Sequence, residues 1–456
     1  MDLRLIQNVL SARHELAQWQ ITELRSRRHE RYLTFLKSES EREATSVRWQ
    51  VWLALPASDG KQGEASFTVT PAHGGPDLRK LLVEAETSAA AAPNPAWKLP
   101  GPGDPGSAAS WRGGVVACEV AGGAAAGAQM ATASDFLADQ VVTRDPGKAL
   151  DGAVATFTDA VRAAPWTRPS ALELFVRIED RRLVNYRGLD LSERRTRCYA
   201  EFVLLHRPDG ADDEQEFYDQ IEAQSLTDLH LSKRVADAAA CLRDGAGAGV
   251  PPAGKLPVVI SGDYLAGLLS WYASHADAGL HARKIAALVL DAPVVERRGG
   301  DPLVLTSDAT VPSLAAYRFD EHGYAAARQD LVQDGVLAAL HGSGRWMQVL
   351  GRVPRGQLAT LVAPAGSTPL VDLRKGALEV VRFSDFHPRH DTGAFSGEIR
   401  FAWWHASDGS RRAVRGGSVS GVLREAMGDV RFSRETATVG GCSGPQAARI
   451  VVTVAV

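Results

Sequence analysis

The chain has 456 residues, too many for one ordinary hydrophobic core, so its length predicts two or three domains. Hydrophobic residues make up 45% and charged residues 23%, a mixture that excludes a disordered or fibrous protein. The 51 basic residues nearly balance the 54 acidic ones, and a net charge of -3 gives no electrostatic footprint for direct nucleic-acid binding.

The cysteines and the N-terminus indicate the cellular compartment. Four cysteines are too few for a disulfide scaffold, and no CxxC pair indicates a zinc ribbon or a thioredoxin-like motif. The N-terminal segment carries charges throughout and lacks the apolar region of a signal peptide, and no long apolar run predicts a membrane span. The sequence therefore predicts a cytoplasmic protein without membrane association. Its arginine-rich, lysine-poor composition is typical of a GC-rich bacterial source.

The first part of the chain alternates between helical and strand patterns. Apolar residues at helical spacing predict a helix over residues 3–17 and a second one over 77–91, with Asp77 as its N-cap. Strand patterns cover residues 31–40 and 46–55. A Pro- and Gly-rich stretch, which predicts a loop, follows the second helix.

The same theme then recurs. A helix is predicted over residues 149–164, a strand over 171–180 with 182–188 as its hairpin partner, and another strand over 198–206. Residues 1–210 therefore predict an N-terminal α+β domain in which helices pack on antiparallel sheets. The recurrence hints at a loose internal duplication.

Beyond this domain the pattern changes twice. Residues 215–242 show a long helical pattern followed by a Gly- and Ala-rich break, so residues 211–254 predict a connecting helix and linker. Residues 255–456 predict a mainly β domain, barrel-like or sandwich-like, with one helix over 263–275. Its predicted strands cover residues 255–260, 287–291, 303–306, 357–362, 378–383, 397–404 and 449–456.

The common catalytic signatures are absent: the sequence has no GxSxG, no GxxxxGK[ST], no HExxH and no HExxxH. Three local features could still belong to a functional site. The helix over 263–275 carries Trp271 and His275 and is either a core helix or part of a site. His387 and His390 flank a proline, which favours a polar turn over a metal site. Cys442 lies among glycines and is either a buried apolar residue or an exposed nucleophile or ligand.

In their order along the chain, several motifs resemble the TldD/PmbA family, which was once labelled modulator of DNA gyrase and is now understood as a peptidase pair. Residues 319–340, with Phe-Asp-Glu-His-Gly at their start and Asp-Gly-Val-Leu near their end, are similar to the family's D-E-G…N-G-V-L segment. The stretch from His390, His-Asp-Thr-Gly-Ala-Phe-Ser-Gly, resembles its T-G-D-F-S-x-G motif, and Gly417-Ser-Val-Ser-Gly-Val-Leu resembles its T-I-A-G-N-L motif. The resemblance covers nearly the whole chain.

The resemblance also implies which subunit type this is. TldD-type chains carry HExxxH on the helix, where two His and a late Cys bind zinc and the Glu is the general base. By resemblance, Ser270 stands at the first His, Trp271 at the Glu and His275 at the second His, while Cys442 stands at the Cys ligand. Serine is a poor zinc ligand and tryptophan can neither bind metal nor take a proton. The chain thus resembles the PmbA/TldE-type subunit, with no catalytic residue and no metal of its own.

The function that follows is that of a non-catalytic subunit in a heterodimeric zinc metallopeptidase, with zinc held by a TldD-like partner and unfolded peptides or leader peptides as substrate. Two alternatives stay open. One is a peptide-binding or protein-binding module without an enzymatic partner, and a homodimer would fit it. The other is a hydrolase with Cys442 as nucleophile and His275 as base.

Overall fold

The computed structural model describes residues 1–110, 136–208, 210 and 212–456, and Cys118 lies outside these described residues. Long antiparallel strands flanked by helices make up the first half, and a second sheet with a closed barrel makes up the second. This arrangement confirms the predicted α+β fold class with its barrel-like C-terminal domain. Among the described helices, none has the length and apolar character needed to cross a membrane.

The N-terminal sheet contains seven strands, each antiparallel to its neighbours. They are, in chain order, β1 (Gln18–Thr34), β2 (Lys37–Pro56), β3 (Lys61–Val69), β4 (Pro93–Pro95), β5 (Arg168–Asn185), β6 (Asp190–His206) and β7 (Gln215–Ala223). Across the sheet their order is β4–β3–β2–β1–β5–β6–β7. The helices of this half are α1 (Leu3–Ser11), α2 (Gly75–Ala91), α3 (Gln140–Arg144), α4 (Pro146–Arg162) and α5 (Leu231–Gly245).

The two halves of this sheet repeat one topology, α1–β1–β2–β3–α2 and then α4–β5–β6–β7–α5. They meet at the central antiparallel pair β1–β5, whose register runs from Gln20 opposite Asn185 to Thr34 opposite Ala171. An approximate twofold axis through this pair therefore relates the halves. The internal duplication suggested by the sequence is visible in the topology.

All five helices lie on one face of the sheet and bury its apolar residues. Along β5, Leu172, Leu174, Val176 and Ile178 alternate inward and are at most 1% exposed. They share a core with Phe157 of α4. Side chains of opposite parity point away from the helices and form what we call the open face of the sheet.

The first hairpin differs from the predicted single strand over residues 31–40. Strand β1 ends at Thr34, and Phe35 and Leu36 form a two-residue turn with φ angles of 50° and 62°. Such turns are usually made by Asn and Gly, which tolerate positive φ. Two apolar residues in their place give no turn signal, so the prediction is wrong for a physical reason.

Further local predictions are wrong as well, and the helix predicted over residues 3–17 ends at Ser11. Residues 182–188 are not a separate hairpin partner, because β5 continues to Asn185 and pairs with β6. Residues 215–223 form β7, and the helix predicted over 215–242 begins only at Leu231. The N-cap of α2 is Gly74, whose backbone N–H donates to Asp77 inside the helix at 2.7 Å.

The C-terminal half begins with β8 (Gly254–Ser261) and α6 (Gly262–Ser274). The remaining strands are β9 (Leu305–Ser307), β10 (Gln329–Gln333), β11 (Val336–Leu337), β12 (Leu361–Val362), β13 (Ala377–Phe383), β14 (Ala394–His405), β15 (Arg411–Val414), β16 (Ser418–Val422), β17 (Arg431–Phe432), β18 (Thr436–Val439), β19 (Cys442–Pro445) and β20 (Ala447–Ala455). The remaining helices are α7 (Ala278–Ala282), α8 (Gly344–Val349), α9 (Leu370–Arg374) and α10 (Leu423–Ala426).

Five of these strands close a barrel in the order β13–β8–β20–β16–β14, because β14 pairs back with β13. The six strands β11–β10–β9–β12–β19–β18 form a second sheet beside it. The barrel, this sheet and α6 share one large apolar core. Helix α6 therefore contacts both the barrel, at β8 and β20, and the second sheet, at β18.

Two of the joints between the halves of the molecule are built on buried carboxylates. At the first, the buried Asp219 of β7 accepts hydrogen bonds from Arg234 of α5 at 2.7 Å and from Arg382 of barrel strand β13 at 3.3 Å. At the second, the carboxylate of Glu193 on β6 accepts from the backbone N–H of Arg318 at 2.9 Å and pairs with Arg181 at 3.0 Å. Both joints are charge-assisted and mostly shielded from water, so they fix the domains relative to each other.

The loop after Arg318 inserts more buried polar groups into the second joint. One oxygen of Asp320 accepts from the backbone N–H groups of His322 at 2.9 Å and Tyr324 at 3.0 Å, and the other is buried without a hydrogen bond. The His322 ring packs on Trp97, with 4.6 Å between ring centroids. Burial raises the pKa of Asp320 to about 7 and lowers the pKa of His322 to about 3.

Candidate functional site

Helix α6 starts directly after barrel strand β8. Gly262 has a φ of 60°, a left-handed conformation that turns the chain from strand into helix. Leu268 and Leu269 are at most 1% exposed and point into the core shared with the barrel. The hydroxyl of the fully buried Tyr272 donates to the carbonyl of Leu423 at 3.0 Å. The core and α10 thereby fix the rotation of α6 about its axis.

Trp271 holds the loop that follows β13. Its indole N–H donates to the carbonyls of Arg389 and His390, each at 3.1 Å. The loop approaches the ring closely at Gly393, where a Cβ would lie 3.0 Å from Trp271 Cζ2 and where φ is 68°. The indole therefore has a packing role and a hydrogen-bonding role, and its N–H is fully used.

His275, the C-cap of α6, is fully buried and uses both ring nitrogens within the protein. Its Nδ1 accepts from the backbone N–H of Ala287 at 3.1 Å, so the proton is on Nε2, which donates to the carbonyl of His390 at 2.6 Å. Burial lowers the pKa of His275 and keeps the ring neutral. Residues 287–291, where the sequence predicted a strand, form an irregular segment that begins at this hydrogen bond.

The other two predicted positions do not join His275. Ser270 lies on the exposed side of α6. Cys442 is 7% exposed at the start of β19, opposite Leu361 of β12. Burial raises the pKa of the Cys442 thiol to about 11, so the thiol stays protonated at neutral pH. Within the described part of the chain, no hydrogen bond connects Cys442 to His275.

A zinc ion does not fit this arrangement. A catalytic zinc needs three protein ligands and an open position for water. Both nitrogens of His275 are occupied by backbone groups, the indole of Trp271 is a donor only, and the Ser270 hydroxyl is solvent-exposed. Across residues 1–110, 136–208, 210 and 212–456, no group of three or more His, Cys, Asp or Glu side chains could hold a metal. The exposed His387, which pairs with Asp385 at 3.4 Å, lies outside this cluster.

Three further histidines surround α6, and sequence patterns did not connect any of them to it. The exposed His390 packs against His275 in a tilted arrangement, with 4.5 Å between ring centroids and an interplanar angle of 47°. His281 donates from Nε2 to the carbonyl of His275, and His341 donates from Nε2 to the carbonyl of Ala273, each at 2.8 Å. These donors satisfy backbone carbonyls at the C-terminal end of α6. No local pattern could have found His341 and His390, because these two residues reach the helix through the fold.

Comparisons with known proteins agree with this architecture. The family model described as the PmbA/TldA metallopeptidase C-terminal domain matches residues 253–455. No curated protein matches the chain. The crystal structure of TldE from Thermococcus kodakarensis has a TM-score of 0.76 at 15% identity, and the match covers 99% of this chain and 98% of that one.

Two other solved structures show the same fold over their whole length. A protein from Thermotoga maritima described as a candidate modulator of a DNA gyrase has a TM-score of 0.74 at 16% identity, with 100% of both chains covered. A protein of the same description from Bacteroides thetaiotaomicron has a TM-score of 0.75 at 16% identity, with 99% of this chain and 97% of that one covered. At these identities the likeness establishes the fold of the entire chain.

Proposed function

The chain belongs to the TldD/PmbA family, and we propose that it is the metal-free subunit of a two-subunit zinc metallopeptidase that acts on unfolded peptides. In this proposal it takes the TldE-type role, and a TldD-like chain with HExxxH supplies the zinc and the general base. The proteolytic activity then belongs to the complex.

The observation that carries the proposal is the state of helix α6. In TldD-type chains this helix holds HExxxH. Here its corresponding side chains are occupied by contacts within the protein: the Trp271 indole donates to the loop at Arg389, and both ring nitrogens of His275 bind backbone groups. Replacing a ligand alone would leave a damaged metal site. In this chain the loop fills the region instead, which supports a structural role for α6 and agrees with the proposal that another subunit carries out the chemistry.

The hydrolase alternative receives no support from the geometry. A cysteine nucleophile needs a thiolate and a base within hydrogen-bond reach. The Cys442 thiol is buried with a raised pKa, and the nitrogens of His275 already bind backbone groups. Activity of the isolated chain is therefore not expected.

Peptide binding next to α6 is supported by the sheet topology. Strand β18 is the last strand of the six-stranded sheet and packs against α6. An outer strand offers unpaired backbone N–H and C=O groups that can hydrogen-bond an extended peptide. A peptide added to β18 would therefore run close to α6.

Size-exclusion chromatography combined with metal analysis tests the proposal. This chain is purified alone and together with a TldD-like HExxxH chain from the same source. We expect a one-to-one complex in which zinc and peptidase activity are present only when the partner is. A partner variant with Gln in place of the motif's Glu is the matched control, because it should keep the complex and lose the activity.

The outcomes separate the open alternatives. Stoichiometric zinc in this chain alone would contradict a metal-free subunit. A homodimer that ignores the TldD-like chain would favour a peptide-binding module without an enzymatic partner. Peptidase activity of the isolated chain that Cys442→Ala abolishes would restore the hydrolase alternative.

A further inference from the structure

The open face of the N-terminal sheet carries an arrangement that the proposed function has not used. On the central strand β5, three consecutive open-face residues are Arg177, Phe175 and Glu173. Arg177 is exposed, and Phe175 and Glu173 are half-buried. A cation, an aromatic ring and a carboxylate thus follow one another at every second residue along one strand.

Aromatic rings extend from Phe175 onto both neighbouring strands. Tyr32 of β1 lies 5.3 Å from Phe175 between ring centroids, and Tyr199 of β6 lies 5.3 Å away on the other side at an interplanar angle of 14°. The guanidinium of Arg28 lies 5.2 Å from the Phe175 ring, and that of Arg42 lies 5.0 Å from the Tyr32 ring. We call Tyr32, Phe175 and Tyr199 the aromatic ladder.

Like charges face each other on the two sides of this ladder. On one side, Arg177 lies between Arg28 of β1 and Arg197 of β6 in the sheet register. On the other side, Glu173 lies directly opposite Glu201. Like charges in directly opposed positions destabilise a sheet. Both rows therefore carry an electrostatic cost that a bound ligand of suitable charge would relieve.

The central strand also leaves its own charges unpaired. Arg28 pairs with Glu30 and Arg197 pairs with Glu222, but within the described residues Arg177 has no carboxylate partner. Glu173 likewise has no cation partner in the described chain. Burial, reinforced by Glu201 and other nearby carboxylates, raises the pKa of Glu173. The protein thus places an unpaired cation and a crowded carboxylate on either side of Phe175.

The composition of this surface distinguishes among classes of ligand. Cores of obligate subunit interfaces are depleted in charge, and this face is dense in Arg and Glu. Single-stranded nucleic acid would stack on the ladder, but Glu173 and Glu201 would repel its phosphates. An extended peptide can meet both rows, because its side chains on one face recur every second residue at about 6.6 Å, the spacing of the strand beneath it.

We propose that the aromatic ladder binds an extended peptide segment of the pattern acidic–x–aromatic–x–basic, with the acidic residue at Arg177, the aromatic residue on Phe175 and the basic residue at Glu173. The peptide can lie in either direction along β5, so the reversed order basic–x–aromatic–x–acidic fits as well. This deepens the proposed function, on which it rests, by assigning a preferred substrate class to the metal-free subunit.

Fluorescence anisotropy with short labelled peptides tests the assignment on the isolated full chain. The probe is Glu-Ser-Trp-Ser-Lys between Gly-Ser flanks, compared with Lys-Ser-Trp-Ser-Lys, Glu-Ser-Trp-Ser-Glu and Glu-Ser-Ala-Ser-Lys. Two opposite-charge contacts and one ring contact predict that the probe binds about fivefold more tightly than each comparison peptide. Equal binding of all four peptides would overturn the proposal.

Two substitutions locate the binding on the ladder. Arg177→Glu changes an exposed residue, so folding is not at risk, and it should reverse the preference in favour of Lys-Ser-Trp-Ser-Lys. Phe175→Leu should weaken binding of the probe and leave the binding of Glu-Ser-Ala-Ser-Lys unchanged. Lys80→Glu, an exposed charge reversal on α2 behind the sheet, is the matched control and should change nothing. An unaltered preference in Arg177→Glu would refute the site.

Two further results separate this inference from the proposed function. Tight binding of a short uridine oligonucleotide that Phe175→Leu abolishes would assign the ladder to nucleic acid and overturn the peptide proposal. The anisotropy uses no partner, whereas the proposed function is tested by complex formation and zinc-dependent activity. If the chain forms a complex with its partner but shows no peptide preference, only the peptide site on the aromatic ladder is contradicted. If it shows the peptide preference but forms no complex, only the subunit role is contradicted.

Discussion

Replacing Asp320 by Asn should flatten the pH dependence of stability. Asp320 is buried at the second joint between the domains, and its folded pKa is raised to about 7 from a model-peptide value of about 3.9. A group with a raised folded pKa contributes stability that is fully present below its unfolded pKa and is lost as the pH rises through the folded pKa. Asparagine cannot ionise, so the variant does not undergo this loss.

The size of the effect follows from the two pKa values. Each pKa unit corresponds to about 1.4 kcal/mol, and allowing for partial ionisation at both ends leaves roughly 2 kcal/mol between pH 5 and pH 7. The amide oxygen of Asn keeps the role of Asp320 as acceptor for the backbone N–H groups of His322 and Tyr324. The unfolding free energy of Asp320→Asn should therefore rise by that amount relative to the parent over this pH range.

Urea unfolding followed by tryptophan fluorescence at pH 5, 6 and 7 measures this difference. Asp408→Asn is a matched control, because Asp408 makes a similar turn, accepting from the backbone N–H of Ser410 at 2.9 Å, but in an exposed loop. The control should show no gain with rising pH. Parallel profiles of the parent and Asp320→Asn would show that Asp320 is ionised in the folded chain, and the reasoning would fail.

Four further outcomes are expected. The pKa of His322 is about 3 in the folded chain, against about 6.5 when unfolded, so the parent loses stability as the pH falls from 6.5 to 5. In the same urea series, His322→Asn should lose roughly 2 kcal/mol less unfolding free energy than the parent over this range. An equal loss in both proteins would mean that the His322 ring is protonated in the folded chain. His275→Ala should lower the unfolding free energy by about 2–4 kcal/mol, since it leaves the backbone N–H of Ala287 unpaired and opens a cavity; a smaller loss in calorimetry would count against the role assigned to the ring. Cys198, Cys241 and Cys442 should resist iodoacetamide at pH 8 in the native chain and react after unfolding, as read by peptide mass spectrometry, because burial raises each thiol pKa; rapid native labelling of Cys442 would contradict its burial. Ser270→His combined with Trp271→Glu should bind no stoichiometric zinc by elemental analysis, because His275 stays tied to backbone groups; one zinc per chain would show that the loop at Arg389 releases it.

Local sequence patterns were sufficient for elements whose signal lies within one turn or one strand. The helical spacing over residues 77–91 and 149–164 predicted α2 and α4 within a few residues, because each buries one apolar stripe. The hairpin at Phe35 and Leu36 was missed because its turn lacks Gly or Asn. Strand β7 was missed because its alternation is weak, with Asp219 as one of its buried residues, held there by arginines from elsewhere in the chain.

At the candidate site, too, local features could be predicted from the sequence and long-range contacts could not. The sequence placed Trp271 and His275 on a helix after a buried strand, and they lie there. It could not show that the loop at Arg389 and His390 meets this helix, because that contact spans more than a hundred residues and depends on closure of the barrel between β13 and β14. The charge rows beside Phe175 were hidden for the same reason, since they depend on the registers of three strands.

The central position of β1 in the N-terminal sheet has a consequence for synthesis on the ribosome. The side of β1 that pairs with β5 stays vacant until roughly 150 more residues have been made, on the order of ten seconds or longer at ordinary elongation rates. A vacant strand of this length is a template for aggregation unless charge protects it. The run Glu23-Leu-Arg-Ser-Arg-Arg-His-Glu-Arg in β1 supplies that charge, which explains why a strand at the centre of a sheet has the composition of an outer one.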